Sequence, residues 1–208
     1  MPSPAQTSPA PPAPPAGFDP LVFWMQHRQK VTLFAGIFAT ALLIYFVSEF
    51  ARTKKLESGA RALAEAKDDA SLRQVIGDFA GTAAAGDAQL LLAENLRKEG
   101  KAEEAVRTLR AMIDKYPTHP LISGAWTSLA ATQESMGKMD EALGTYQKVS
   151  TTFATSFSAP VALLGQARIF KEKGKTEEAR RLYDQLINQY PESMFAQQAT
   201  RESQQLKK

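Results

Sequence analysis

The sequence predicts an all-α protein, with a single transmembrane helix followed by an α-solenoid of stacked helical hairpins. Three observations carry this. Eight of the twelve prolines fall in the first twenty of 208 residues. A stretch of eighteen residues, 31–48, carries no charge. Beyond it, a short glycine-lysine motif returns at a fixed step of 37 residues. The last signal is the strongest, because self-similarity at a fixed period marks a repeat architecture.

The first twenty residues, MPSPAQTSPAPPAPPAGFDP, cannot bury a core and favour polyproline II or disorder. Residues 1–20 are expected to be a disordered tail. Next comes VTLFAGIFATALLIYFVS, which as a helix would be about 27 Å long, enough for a bilayer core. Phe23 and Trp24 stand before it, and Tyr45, Phe46 and Phe50 stand at its far end, as in aromatic belts. The apolar core exceeds that of a cleaved signal peptide and no A-x-A site follows, so an uncleaved signal anchor is expected. Arg28 and Lys30 precede it, and Arg52, Lys54 and Lys55 follow it. That count leans weakly toward a cytoplasmic C-terminus, although long domains translocate largely regardless of such differences.

From residue 84 the chain repeats. Gly100-Lys101-Ala102-Glu103-Glu104-Ala105 returns as Gly137-Lys138-Met139-Asp140-Glu141-Ala142 and as Gly174-Lys175-Thr176-Glu177-Glu178-Ala179. Ala93, Ala130 and Ala167 keep the same step, as do Leu109, Tyr146 and Tyr183, and Tyr116, Phe153 and Tyr190. Each unit reads as two helices joined by the Gly-Lys turn. Glycine accepts the left-handed residue that ends the first helix. The acidic pair suits the positive end of the second. The alanines let the helices approach closely, and Pro117 and Pro191 close units. One hairpin cannot bury its own apolar face, so the units stack. Three units fill 84–192. Residues 49–83 read as a linker helix and an N-terminal half-repeat, and 193–208 as a C-terminal capping helix.

These columns resemble the tetratricopeptide repeat. Trp126, Leu129, Ala130, Ala142 and Tyr146 match its signature in the middle unit, with the Trp126 ring expected to be buried between hairpins. Three residues more than the usual 34 lengthen the link between hairpins.

Several function classes are excluded. The net charge of +3 comes from 25 basic and 22 acidic residues, interspersed, which is no footprint for nucleic acid. The absence of cysteine excludes thiol chemistry and cysteine-ligated metals. Gly174-Lys175-Thr176 looks like the end of a phosphate loop, but Ile169 stands where that loop needs glycine. The only two histidines, His27 and His119, lack partners at metal spacing. No Ser-His-Asp set is evident. The chain is therefore expected to be no enzyme, without cofactors or a small-molecule substrate.

What remains is surface. In the tetratricopeptide architecture the first helices line a concave groove. The inward columns then fall on Leu90, Glu94 and Arg97, on Thr127 and Glu134, and on Leu164, Arg168 and Lys171. Mixed apolar and charged columns suit an extended polypeptide. Glu94 and Ala131 replace the amides of repeats that clamp C-terminal carboxylates.

The layout of tail, anchor, short linker helix and three to four hairpins resembles the YfgM-like ancillary subunits of the bacterial SecYEG translocon. Residues 79–84, FAGTAA, add to the likeness. The resemblance implies a single-pass inner-membrane protein with a cytoplasmic N-terminus and a periplasmic repeat domain. Its partners would be translocon subunits, chaperones or exported polypeptides. The alternative is an assembly scaffold for another envelope system, in cell division, outer-membrane or pilus biogenesis. The Pro-rich tail departs from the family.

Overall fold

A computed structural model describes residues 20–206. The predicted tail lies outside them except for Pro20. Every regular element is a helix among the described residues. They are α1 (Pro20–Glu65), α2 (Asp69–Asp78), α3 (Ala83–Lys98), α4 (Ala102–Lys115), α5 (Ile122–Ser135), α6 (Met139–Thr152), α7 (Ser158–Glu172), α8 (Thr176–Gln189) and α9 (Ala196–Gln205). The chain divides into two compact units, up to Arg52 and from Thr53 onward.

The first unit is the greater part of α1. Its most apolar window has a mean hydropathy of 2.2 and none of that window is buried, so the helix is long and apolar enough to cross a membrane. Phe34, Phe38, Leu43 and Phe46 stand exposed around it. Thr32 and Thr40 turn their hydroxyls back onto the carbonyls of Arg28 and Gly36, which hides them within an apolar surface. No proline follows residue 48 up to Glu65, so α1 continues without interruption through the segment expected to be a linker helix.

In the second unit, α2 begins with a capping box. Asp68 accepts from the Ser71 N–H at 2.8 Å, and the Ser71 hydroxyl accepts from the Asp68 N–H at 3.1 Å. Three hairpins follow, α3–α4, α5–α6 and α7–α8, each closed by the predicted turn. Gly100, Gly137 and Gly174 have φ of 78°, 74° and 71°. Beyond each glycine, the N–H of Lys101, Lys138 or Lys175 reaches back to the carbonyl of Leu96, Gln133 or Phe170 at 2.8–2.9 Å. This is the Schellman closure that satisfies carbonyls the helix leaves unpaired. The acidic pairs occupy the first turns of α4, α6 and α8 as expected.

The hairpins bury one another in three apolar clusters. Leu96, Leu109 and Met112 centre the first, Tyr146, Val149 and Ile169 the second, and Leu163, Tyr183 and Leu186 the third. Trp126 packs against the first two clusters, between hairpins as the sequence suggested. It is only half-buried, because its outer face is covered by Lys148, whose Nζ lies 3.7 Å over the ring, rather than by another helix. The tyrosines that end α4 and α8 tie the first and third hairpins to the link before each. The Tyr116 hydroxyl accepts from the Gly81 N–H at 3.1 Å, and the Tyr190 hydroxyl donates to the Ala154 carbonyl at 2.7 Å. Phe153, in the same column, has no hydroxyl for such a tie. The C-terminal helix α9 buries Ala196 and Ala199 against the third cluster.

Candidate partner-binding face

The first helices of successive hairpins touch directly, α3 on α5 and α5 on α7, and form the inner row of the stack. The stripe expected to line a groove follows the 37-residue step: Asp87, Leu90 and Glu94 on α3, Gly124, Thr127 and Ala131 on α5, Val161, Leu164 and Arg168 on α7. The spacings of three and four residues keep each set on one face of its helix.

The eight residues expected in the groove do not play equal parts. Leu90 is half-buried and packs against the first cluster. Thr127 is half-buried, and its hydroxyl donates back to the Ser123 carbonyl at 2.8 Å. Leu164 is a core residue, 8% exposed. Every charge among the eight has a partner within the chain. Arg97 donates twice to Glu94, at 3.0 and 2.8 Å, one turn away on the same helix. Arg168 grips Glu134 through Nε and a terminal nitrogen, both at 2.6 Å. Lys171 meets Glu202 of α9 at 2.7 Å.

The Arg168–Glu134 pair joins α7 to α5, and α6 completes it. The Tyr146 hydroxyl donates to Glu134 at 2.9 Å, and the Glu134 side chain is only 12% exposed. A forked guanidinium and a phenol thus satisfy one carboxylate at the junction of three helices. Burial, with the Glu134 carboxylate beside it, holds the Tyr146 phenol well above its ordinary range near 10. The hydrogen bond to Glu134 raises Arg168, and the hydrogen bond from Arg97 lowers Glu94.

The tyrosine shift has a measurable sign. Its contribution is fully present below pH about 10, where both folded and unfolded chains keep the phenol proton. Above that pH the unfolded chain loses the proton while the fold retains it, so stability falls as pH rises. Chemical denaturation between pH 9 and 11.5 should show a decline approaching about 1.4 kcal/mol per pH unit from this group. Tyr146→Phe should flatten it, leaving the smaller share of Tyr183, whose phenol burial also raises. Equal pH slopes in the two proteins would refute the assignment.

The inner face has a part that the eight residues omit. At its opposite end Phe157 and Met194 are exposed, 67% and 83%, beside Val161. The 37-residue columns run through them, as Ala83, Pro120, Phe157 and Met194, so extending the columns upstream reaches these positions, although only the packing shows that they stay exposed. His119, which lacks partners at metal spacing in the sequence, is buried. Its Nδ1 accepts from the Leu121 N–H at 3.1 Å and its Nε2 lies 3.2 Å from the Ala83 carbonyl. Gly86 makes room for it, since a Cβ there would come within 2.9 Å of the ring.

The tetratricopeptide repeat-like domain family matches residues 47–207. A tetratricopeptide repeat protein from Parabacteroides merdae is similar in structure, with a TM-score of 0.50 and 26% identity over 58% of this chain. The chain spans 45% of that protein's length. The nearly identical TPR-like repeats of Podosopora anserina give a TM-score of 0.55 at 20% identity, covering 74% of this chain and 84% of theirs, which bears on the fold alone. No curated protein matches. With more than half its length matched and its hairpins stacked in register, the chain belongs to the tetratricopeptide repeat-like domain family.

Proposed function

We propose that this chain is a membrane-anchored interaction scaffold. Its repeat domain would dock polypeptide partners beside the bacterial Sec translocon, linking the channel to periplasmic chaperones or exported chains. The observation that carries the scaffold reading is the inner face itself: apolar and hydrogen-bonding columns along three first helices, stiffened by internally satisfied ion pairs. A surface whose charges are already paired stays ordered and presents shape and apolar contact, which suits an extended polypeptide better than a small charged ligand. The helix in the first unit supports tethering, and tethering raises effective concentration so that weak contacts suffice. The Sec assignment, the cytoplasmic N-terminus and the periplasmic repeat domain rest on the family resemblance of the layout.

Photocrosslinkers placed at Leu90, Thr127 and Val161 of the full chain in cells test this reading. Adducts with Sec channel subunits, periplasmic chaperones or nascent exported chains are expected, at several-fold higher yield than from an outer-row position such as Arg110. Adducts confined to cytoplasmic proteins would invert the topology. Adducts with division or pilus components, and none with the channel, would move the scaffold to another envelope system.

A further inference from the structure

The links before α7 and α9 enclose a cleft of about 800 Å³ that has a counterpart two repeats earlier. The counterpart, formed by the links before α3 and α5, measures about 310 Å³. Subtracting 74 residues turns one into the other, so Phe157, Pro160, Ser193 and Met194 stand for Ala83, Gly86, His119 and Pro120. In the earlier cleft the chain supplies its own ring, since His119 lies in the wall, its side chain 4% exposed, against Gly86. In the later cleft Ser193 stands for His119 and Pro160 for Gly86, so both the ring and the room made for it are replaced, and the larger opening lies toward Phe157 and Met194.

The walls of the later cleft say what would fill it. Three of its four hydroxyls are already engaged, those of Ser156, Tyr190 and Ser193. Tyr190 donates to Ala154, Ser156 to the Phe153 carbonyl at 2.8 Å, and Ser193 accepts from the Phe195 N–H. Phe157 and Met194 stand open to solvent at the mouth. Residues 149–167 contain no charge at all. Glu192 is the one charged side chain in the walls, and among the described residues it forms no ion pair or hydrogen bond. A desolvating apolar seat beside one unpaired carboxylate favours an apolar group with a cation next to it.

We propose that this cleft seats one aromatic side chain of a partner polypeptide, with a neighbouring lysine or arginine of the partner pairing with Glu192. The inference rests on the scaffold function proposed above and names the chemistry of one of its contacts. Phe157 and Met194 would close over the partner's ring.

The test uses the full chain in lipid nanodiscs and fluorescein-labelled, end-capped nonapeptides read by polarisation. One peptide is Gly-Ser-Lys-Ala-Trp-Ala-Lys-Ser-Gly. A second carries glutamate for both lysines and a third carries alanine for tryptophan. The lysine peptide should bind about tenfold tighter than either of the others. Glu192→Lys should reverse the preference between the lysine and glutamate peptides, a change that loss of fold could not produce. Phe157→Ala should weaken the lysine peptide by about fivefold or more with helicity unchanged. Equal affinity for lysine and glutamate peptides, no saturation below about 1 mM, or indifference to both substitutions would overturn the proposal. A failed peptide test alongside intact wild-type crosslinks from Leu90 and Thr127 would mean that the scaffold stands and this seat alone is wrong. Their disappearance from the wild-type chain would mean that the scaffold reading itself has failed.

Discussion

Gly165→Ala is expected to destabilise the repeat domain by about 1–3 kcal/mol, although the same exchange in an ordinary helix interior is favourable by about 0.5–1 kcal/mol. The sign is set by Tyr146. A Cβ built on Gly165 would lie 2.6 Å from Cε2 and Cζ of that ring. The ring has no easy retreat, because it is 2% exposed and its hydroxyl is fixed on Glu134 at the junction with Arg168. The preceding junction solves the same problem differently. Thirty-seven residues earlier Leu109 replaces the tyrosine and Ser128 replaces the glycine. In a Tyr146→Leu background, therefore, Gly165→Ala should become neutral or stabilising. The coupling between the two sites should exceed about 1 kcal/mol in urea denaturation, as expected for residues in direct contact. An equal loss from Gly165→Ala in both backgrounds would show that the backbone of α7, not the ring, is the obstacle.

Much of this architecture was readable from sequence because the repeat step and the turn chemistry are local. Three glycines at one spacing, each followed by lysine and an acidic pair, fix where helices end and begin. The structure places α3 through α8 accordingly. The paired charges of the inner face were not readable, because pairing depends on which residues the stack brings together. Glu134 and Arg168 are 34 residues apart, nearly one period. Arg97 has Ala131 at the same interval, so it has no carboxylate on the next hairpin and turns to Glu94 on its own helix. Leu164 shares a column with Leu90 and Thr127, yet it is sealed into the third cluster. A column fixes the face, not the depth at which the neighbouring hairpin covers it. Phe157 and Met194 were hidden for a related reason. In a sequence, large apolar residues in a link look like plugs for the core, and only the packing shows that these two remain outside it.

Leu186→Ala is expected to cost about 2–5 kcal/mol, the range for deleting a fully enclosed leucine side chain. Leu186 is 0% exposed in the third cluster, with Tyr183, Leu163 and the α9 alanines around it. How the loss is distributed tests the architecture itself. In a globular domain with one continuous core, such a cavity lowers the stability of every region alike. In a stack whose units contact only their neighbours, the penalty falls on the last hairpin and its cap. Hydrogen exchange should therefore accelerate through α8 and α9 by two to three decades for a loss of about 3–4 kcal/mol, while α3 and α4 change by less than about threefold. Met112→Ala supplies the mirror case. It is equally enclosed at 0% exposure but sits in the N-terminal cluster, so it should loosen α2 through α4 and spare α8 and α9. Acceleration spread evenly over all helices in both variants would contradict nearest-neighbour stacking. If the effects remain local, Leu186→Ala also separates binding sites physically. It should disturb the cleft before α9 while leaving the stripe at Leu90 and Thr127 able to engage its partners.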